Sequence, residues 1–457
     1  VIVIKFGGTS VGDAERVAAA IDIVAERRHL QPIVVVSALA GVTNDLVAAA
    51  EAACACDVNR VTEIMARVRQ RHEDVAMQLV QQKFDFFEAF LRQLNKQIDQ
   101  IQTILKGIAL LGEITMRAKD KVVAIGEKLS SVLFAYSMMM RALPGEHVES
   151  EDVIVTNDNF GGATPLMDRT RAAARSVLLP LIERNLIPVM GGFIGRTVDG
   201  ATTTLGRNGS DYSAAIVAAA VGADEVQIWT DVDGLLTCDP RFVPGARVID
   251  RLSYAEAAEL AWFGAKLHPR TLEPAIEANV PVRVLNTHNP ASAGTLISRE
   301  GDDRGNGPRS IARKRHVTVV HMTSNKMLGV HGFLARLFAV FEDLEISVDL
   351  IATSEVSVSV TIDDRHNIDE LQSRLKDIAE VEVLDEQCIV AVVGRNLMSD
   401  SVVGARIFDA LREIPMKMLS LGRSGLNLSV VVDDADADRA IERIHHALFE
   451  APVQVAT

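Results

Sequence analysis

The closing part of the chain is written twice. ARLF at Ala335–Phe338 returns as ARIF at Ala405–Phe408, and SVTIDD at Ser359–Asp364 returns as SVVVDD at Ser429–Asp434. Both pairs stand 70 residues apart without a gap, so a duplicated unit is expected rather than one continuous domain. Each copy reads strand–helix–strand–strand–helix–strand, the βαββαβ order of a ferredoxin-like sandwich. The two units are predicted over 316–386 and 387–457. REGDDRGNGPRS, Arg299–Ser310, is rich in Gly, Asp and Arg and has no periodicity. It predicts a linker over 299–315.

Residues 1–298 alternate β-branched runs with Ala-rich stretches. IVVVS at Ile33–Ser37, VIV at Val153–Val155, IPVMGGF at Ile187–Phe193, VQIWT at Val226–Thr230 and VPVRVL at Val280–Leu285 read as buried strands. SDYSAAIVAAAVG and SYAEAAELAWFGAK read as helices between them. This order predicts a three-layer α/β domain, a mostly parallel sheet with helices on both faces. Such sheets bind ligands at the carboxyl ends of their strands. No proline stands between Pro32 and Pro144, and about 58–106 is amphipathic throughout. That segment predicts a helical insertion with a structural role: packing, a lid rim or a subunit contact.

A length of 457 residues fits two to four domains. With a net charge of −14, nucleic acid is not expected as the main partner, although a few local cations suffice for one phosphate chain. No bilayer-spanning run and no leader are read from the sequence. The chain begins at Val1, and an initiator Met is expected to be missing. Cys54, Cys56, Cys238 and Cys388 have neither C-x-x-C nor zinc spacing, so reduced thiols in the cytoplasm are expected.

KFGGTS, Lys5–Ser10, follows the apolar run VIVI. It is either a tight turn or a phosphate cradle, because glycine lets backbone N–H groups approach an anion and lysine adds a point charge. Four more glycine-bearing loops accompany it: SALAGVTN (Ser37–Asn44), GGFIGRT (Gly191–Thr197), TTTLGRNGSDYSA (Thr202–Ala214) and TDVDGLLTCDPR (Thr230–Arg241). Several such loops on one sheet point to a site. Arg207 can clamp a carboxylate with its planar fork. Ser210 and Asp211 open a helix, as a cap or as part of a site. Lys5 is otherwise a solvated strand end, Glu127 an ordinary first-turn acid, and Lys266 the basic residue at a helix C-terminus. His268, followed by Pro269, reads as structural.

Taken in order, KFGGTSVGD, VVSALAGVTN, GGFIG, TTLGRNGSDYSA, WTDVDGLLTCDPR and FGAKLHPRTLEPA resemble the aspartokinases of the amino-acid kinase family. The resemblance covers nearly the whole chain, and the tandem repeat resembles the paired ACT domains these enzymes carry. The chain stops after the repeats, as in the monofunctional enzymes. The resemblance implies the amino-acid kinase fold and ATP-dependent phosphorylation of the β-carboxylate of L-aspartate, with Mg²⁺ carried on the nucleotide and no protein metal site. Another small-carboxylate kinase, or a catalytically silent amino-acid sensor on the same scaffold, is the alternative. Carried over, Lys5 and Asp211 would be catalytic. Thr43, Glu127, Arg207 and Ser210 would bind aspartate. Lys5, Gly7, Gly8, Ser10, Thr230, Asp231, Leu236, Arg241 and Lys266 would hold ATP. Asn208 replaces a glycine of the usual G-R-G-G-S-D, and asparagine tolerates a left-handed backbone. Leu236 stands where some relatives have tyrosine, and GAKLHP is one residue shorter than the familiar G-A-K-V-L-H-P.

At the 70-residue offset, Asp349 faces Leu419 and Glu355 faces Gly425, so the first copy alone carries two acids near Thr353 and Ser354. This predicts a site for a basic regulatory amino acid in the first copy, the alternative being solvated loop acids. The stretch resembles the lysine-responsive aspartokinases. That implies inhibitor contacts at Met327, Val330, Phe333, Val348, Asp349, Ser354 and Glu355, with Val330 in place of serine. At least a homodimer through the ACT domains is expected by analogy.

Overall fold

The computed structural model describes residues 1–80, 84–263, 269–302, 305–363, 365–397, 399, 401–422 and 424–450. The chain forms two compact units. One holds Val1–Leu235, Asp250–Tyr254 and His268–Gly301; the other holds Leu236–Ile249, Ala255–Leu267 and Asp302–Thr457.

The first unit is built on an eight-stranded sheet. Its order is Gly145–Val148, Ile187–Gly191, Pro32–Val36, Ile2–Phe6, Glu225–Thr230, Val282–Asn286, Thr295–Ser298, Arg251–Ser253. Every pairing is parallel except Val282–Asn286 with Thr295–Ser298. Side chains alternate across a strand. Ile2, Ile4 and Phe6 therefore enter one core cluster with Val17 and Ile21 of the helix Ala14–Glu26 and Phe134 and Met138 of the helix Ile125–Met140. Val3 and Lys5 face the other way, where the almost wholly buried helix Gly209–Val221 lies against the strand. Asp13 caps Ala14–Glu26 by accepting from Arg16 N–H at 2.9 Å.

VIV at Val153–Val155 does not join this sheet. Ser150–Asp152 is a 3₁₀ turn, and Val155–Thr156 pairs instead with Ile194–Thr197 in a three-stranded sheet closed by Thr202–Thr204. The insertion forms the helices Val58–Val80 and Phe84–Leu111, and Arg67 fastens it to Asp45 at 2.6 Å. Among the described residues, Met116–Met140 reaches a membrane-spanning length and composition (25 residues, mean hydropathy 1.3), contrary to the sequence reading. That window is 78% buried within the fold and packs as core.

The second unit carries a six-stranded antiparallel sheet, ordered Ile351–Thr353, Ser357–Ile362, Gly307–Thr323, Glu380–Arg395, Asn427–Asp433, Met416–Leu421. The duplication is plain: the helices Phe333–Asp343 and Ser401–Ala410, and the strands Ser357–Ile362 and Asn427–Asp433, recur in the same order. The expected linker is a correction. From Gly307 onward it is strand, and Ser310 through Lys314 pair with Val393 through Ile389. Among the described residues, the second copy thus takes a neighbouring strand from the chain ahead of the first copy. The boundary at 298 also shifts. Cys238 and Val243 are buried in the core of the second copy with Val390, Ile407 and Ile441, so this loop belongs with the regulatory unit.

Candidate active site

A cavity of about 560 Å³ opens in the first unit beyond the strands Ile2–Phe6, Pro32–Val36 and Ile187–Gly191. Lys5, Gly8, Thr43, Glu127, Arg207, Ser210 and Asp211 all line it. Lys5 is no solvated strand end: it is 8% exposed, and its Nζ lies 2.6 Å from Asp211 Oδ1. The strand's alternation aims Lys5 at the helix Gly209–Val221, and Asp211 sits in that helix's first turn. The cap reading of Ser210 and Asp211 fails. The cap position is Asn208, left-handed at φ 54°, and its side chain makes no cap bond. Asparagine fills the glycine position for the reason expected.

Glu127 lies in the first turn of Ile125–Met140 but is 4% exposed. Burial pushes its carboxyl up to about 8, against the backbone N–H groups of Ala38 and Glu127 and the charge of Lys5, all of which pull it down. Among the described residues, its Oε2 has no hydrogen-bond partner. Arg207 is exposed on the same cavity and makes no ion pair among the described residues. Close approach explains the paired glycines of GGFIG. A Cβ on Gly191 would stand 3.0 Å from Glu127 O, and one on Gly192 2.6 Å from Ser210 Cβ. The cavity therefore holds one lysine–aspartate pair, one free guanidinium and one buried carboxyl with a vacant oxygen. Such a set can neutralise a transferring anionic group and take a small zwitterion at both ends.

The amino acid kinase family profile matches residues 1–286, and an ACT domain profile matches 320–369 and 390–448. The chain is 38% identical to aspartokinase 3, chloroplastic, of Arabidopsis thaliana, over 98% of this chain and 81% of that one. It is 37% identical to lysine-sensitive aspartokinase 3 of Escherichia coli, over 98% and 99%. The chain belongs to the aspartokinase family. Among solved structures, E. coli aspartokinase III superposes with a TM-score of 0.82 at 35% identity, covering 98% of this chain and 100% of that one. That structure is a T-state complex with lysine and aspartate; an R-state complex with aspartate and ADP superposes equally well, with a TM-score of 0.82.

The other residues expected from the aspartokinase resemblance fall elsewhere. Ser10 is 1% exposed, and its hydroxyl meets Trp229 O at 3.3 Å and Thr287 Oγ1 at 2.7 Å. Gly7 N–H donates to Trp229 O at 3.4 Å, and Thr230 Oγ1 donates to Asp231 Oδ1 at 3.1 Å. Gly7, Ser10 and Thr230 thus share the ends of two adjoining strands. Leu236 and Arg241 belong to the second unit, where Asp239 holds Arg241 at 2.5 Å. Lys266 and His268 lie outside the described residues. Sequence reading missed Met116, Lys119 and Asp120, which line the cavity from the helix Met116–Val123. No pattern in MRAKDKVV marks them.

Of the regulatory positions, Phe333 is in the core of the first repeat, with Met327 and Val348 against it, while Val330 is 47% exposed. Ser354 bonds Ser357 Oγ at 2.7 Å in the turn that carries exposed Glu355. Asp349 already has a partner. Lys314 Nζ lies 2.8 Å from Asp349 Oδ2 and 2.5 Å from Asp363 Oδ2, and 4.8 Å from the centre of the Trp262 ring. Burial lifts the Asp349 carboxyl to about 6, with Lys314 pulling the other way.

Proposed function

We propose that this cavity transfers the γ-phosphoryl group of ATP to the β-carboxylate of L-aspartate, giving 4-phospho-L-aspartate and ADP. The observation that carries the reading is the meeting of the Lys5–Asp211 pair with Glu127 and Arg207 around one small cavity. Arg207 takes the α-carboxylate, and Glu127 takes the ammonium on its vacant oxygen. Thr43 and Ser210 complete the substrate's surroundings. The β-carboxylate is already a nucleophile, so no general base is needed. One of its oxygens bonds to the γ-phosphorus as the bond to the bridging oxygen of ADP breaks, and the electron pair leaves with ADP. Lys5 neutralises charge on the moving group, and Asp211 holds Lys5 in place. Gly7, Gly8, Ser10, Thr230 and Asp231 from the strand ends, and Leu236, Arg241 and Lys266, are assigned to the nucleotide, which brings its own Mg²⁺.

Regulation is assigned to lysine at the first repeat, through Met327, Val330, Phe333, Val348, Asp349, Ser354 and Glu355. An effector ammonium that reaches Asp349 must take the place of Lys314. A homodimer through the regulatory sheet fits the edge strand Ile351–Thr353, where Ile351 is 46% exposed. Four free cysteines fit a cytoplasmic enzyme.

The test is ADP release with L-aspartate, with L-glutamate and with no acceptor. Release is expected with aspartate, and slower by on the order of 10²–10³ in Lys5→Ala. Preference for glutamate, acceptor-independent release, or no release at all overturns the reading.

A further inference from the structure

Asp120 is 1% exposed, lines the cavity and has no assigned role. Its Oδ2 accepts from the backbone N–H of Gly161 at 2.9 Å and of Thr204 at 3.0 Å, and its Oδ1 accepts from Thr204 Oγ1 at 2.7 Å. One carboxylate thus gathers donors 41 and 84 residues away. The two segments it gathers are also joined to each other. Ala163 N–H donates to Thr204 O at 2.8 Å, and Gly206 (φ 79°) lies against Gly161 and Gly162, whose nearest atoms would be 3.5 Å from a Cβ there. Gly206 is the residue before Arg207. On its own side, Asp120 stands seven residues before Glu127, near two full helical turns, so both acids face the cavity. Only Ala124 separates their helices, and Ala124 N–H donates to Asp120 O at 3.0 Å.

We infer that Asp120 is a positioning residue for the amino-acid end of the cavity: it ties the Arg207 loop to the helices that carry Glu127, and so sets the span between the two groups. Burial raises the Asp120 pKa, and the three donors on two oxygens, with the charge of neighbouring Lys119, pull the other way and offset that cost only in this geometry. A hydrophobic contact could hold two segments together. It could not fix their register through directed bonds to two backbone N–H groups and one hydroxyl.

The inference rests on the cavity being the aspartate pocket. The experiment measures KM for aspartate, KM for ATP and thermal unfolding in Asp120→Asn, Thr204→Val, Thr204→Ser and Arg207→Lys. Asp120→Asn removes the charge and one acceptor oxygen: its amide NH2 group either faces the two backbone N–H donors or turns the Thr204 hydroxyl from donor to acceptor. It should raise the aspartate KM on the order of tenfold and leave the ATP KM within about twofold. Thr204→Val, of nearly the same shape but without the hydroxyl, should move the same constant by a smaller factor, and Thr204→Ser should restore it. If Asp120→Asn does not fold, the Thr204 pair decides alone. A fall in the unfolding midpoint with both KM values unmoved makes Asp120 a mere brace and overturns the inference, as does Thr204→Ser behaving like Thr204→Val. If Arg207→Lys leaves the aspartate KM unchanged, the pocket reading fails first. If Arg207→Lys raises it and the Asp120 and Thr204 variants do not, only the positioning role falls.

Discussion

Glu127 holds a proton at neutral pH because almost no water reaches it, and its pKa stands near 8. A substrate ammonium beside it favours the ionised form, so binding at pH 7 expels that proton. Calorimetry in two buffers of different ionisation enthalpy should show close to one proton released, and the aspartate KM should fall as pH rises toward 8 and then level. Glu127→Gln should abolish the release; a release that survives the substitution removes Glu127 from the ammonium site. Without substrate the sign runs the other way for stability. The folded-state pKa is raised above the unfolded one, so this contribution is complete below about 4.5 and is lost as pH climbs through about 8. Wild-type unfolding midpoints should therefore drop over that window more steeply than those of Glu127→Gln. The glutamate was visible in AIGEKLSS. Its burial was not, because burial is conferred by Ala38 and the Gly191 loop, distant in sequence.

At the scale of elements, the GGF turn is a spacer with no room for a side chain. Gly192→Ala would drive a methyl group into Ser210, at 2.6–2.8 Å from its Cα, Cβ and Oγ. The helix Gly209–Val221 must then shift, carrying Asp211 away from Lys5. A loss of about 1–3 kcal/mol in urea unfolding is expected, together with a fall in turnover. An alanine variant with unchanged stability and turnover would show that the turn yields easily. Glycine's place here was legible as a loop signal, but not its reason. The strand Gly307–Thr323 shows the opposite failure. Arg309, Arg313, Lys314 and Arg315 make that stretch look like exposed coil. Its charges are instead met by Glu256, Asp302, Asp438, Asp434 and Asp349, and its backbone by Glu380–Arg395. Period-2 patterning cannot report a strand whose side chains find remote ion partners.

At the scale of the whole molecule, lysine can shift activity only if it binds one conformational state better than the other. Lys314 makes this competitive, since an ammonium of the chain already occupies Asp349. Titration with lysine, threonine and methionine should show inhibition of the wild type by lysine. Asp349→Ala should lose that response and keep most of its uninhibited turnover. Lys314→Met should lower the half-inhibiting concentration, because Asp349 is then free. Unchanged lysine sensitivity in Asp349→Ala, or inhibition by threonine alone, would move the effector site elsewhere.

The 70-residue repeat, the β-branched runs and the ordered glycine loops were set by sequence alone, because each is a local pattern of side-chain period or backbone freedom. They carried the kinase fold and the paired regulatory repeats; the resemblance to the aspartokinases, not a local pattern, named Lys5, Thr43, Glu127, Arg207, Ser210 and Asp211 together, and all six line one cavity. Tertiary structure alone decided three things: that Asp120 belongs to that cavity, that Lys314 rests on Asp349, and that Gly307–Thr323 is a strand shared by both repeats. In each case the deciding term is a hydrogen bond, an ion pair or a ladder between groups tens of residues apart. Such partners are selected by burial in the folded chain, and no spacing along the sequence encodes them.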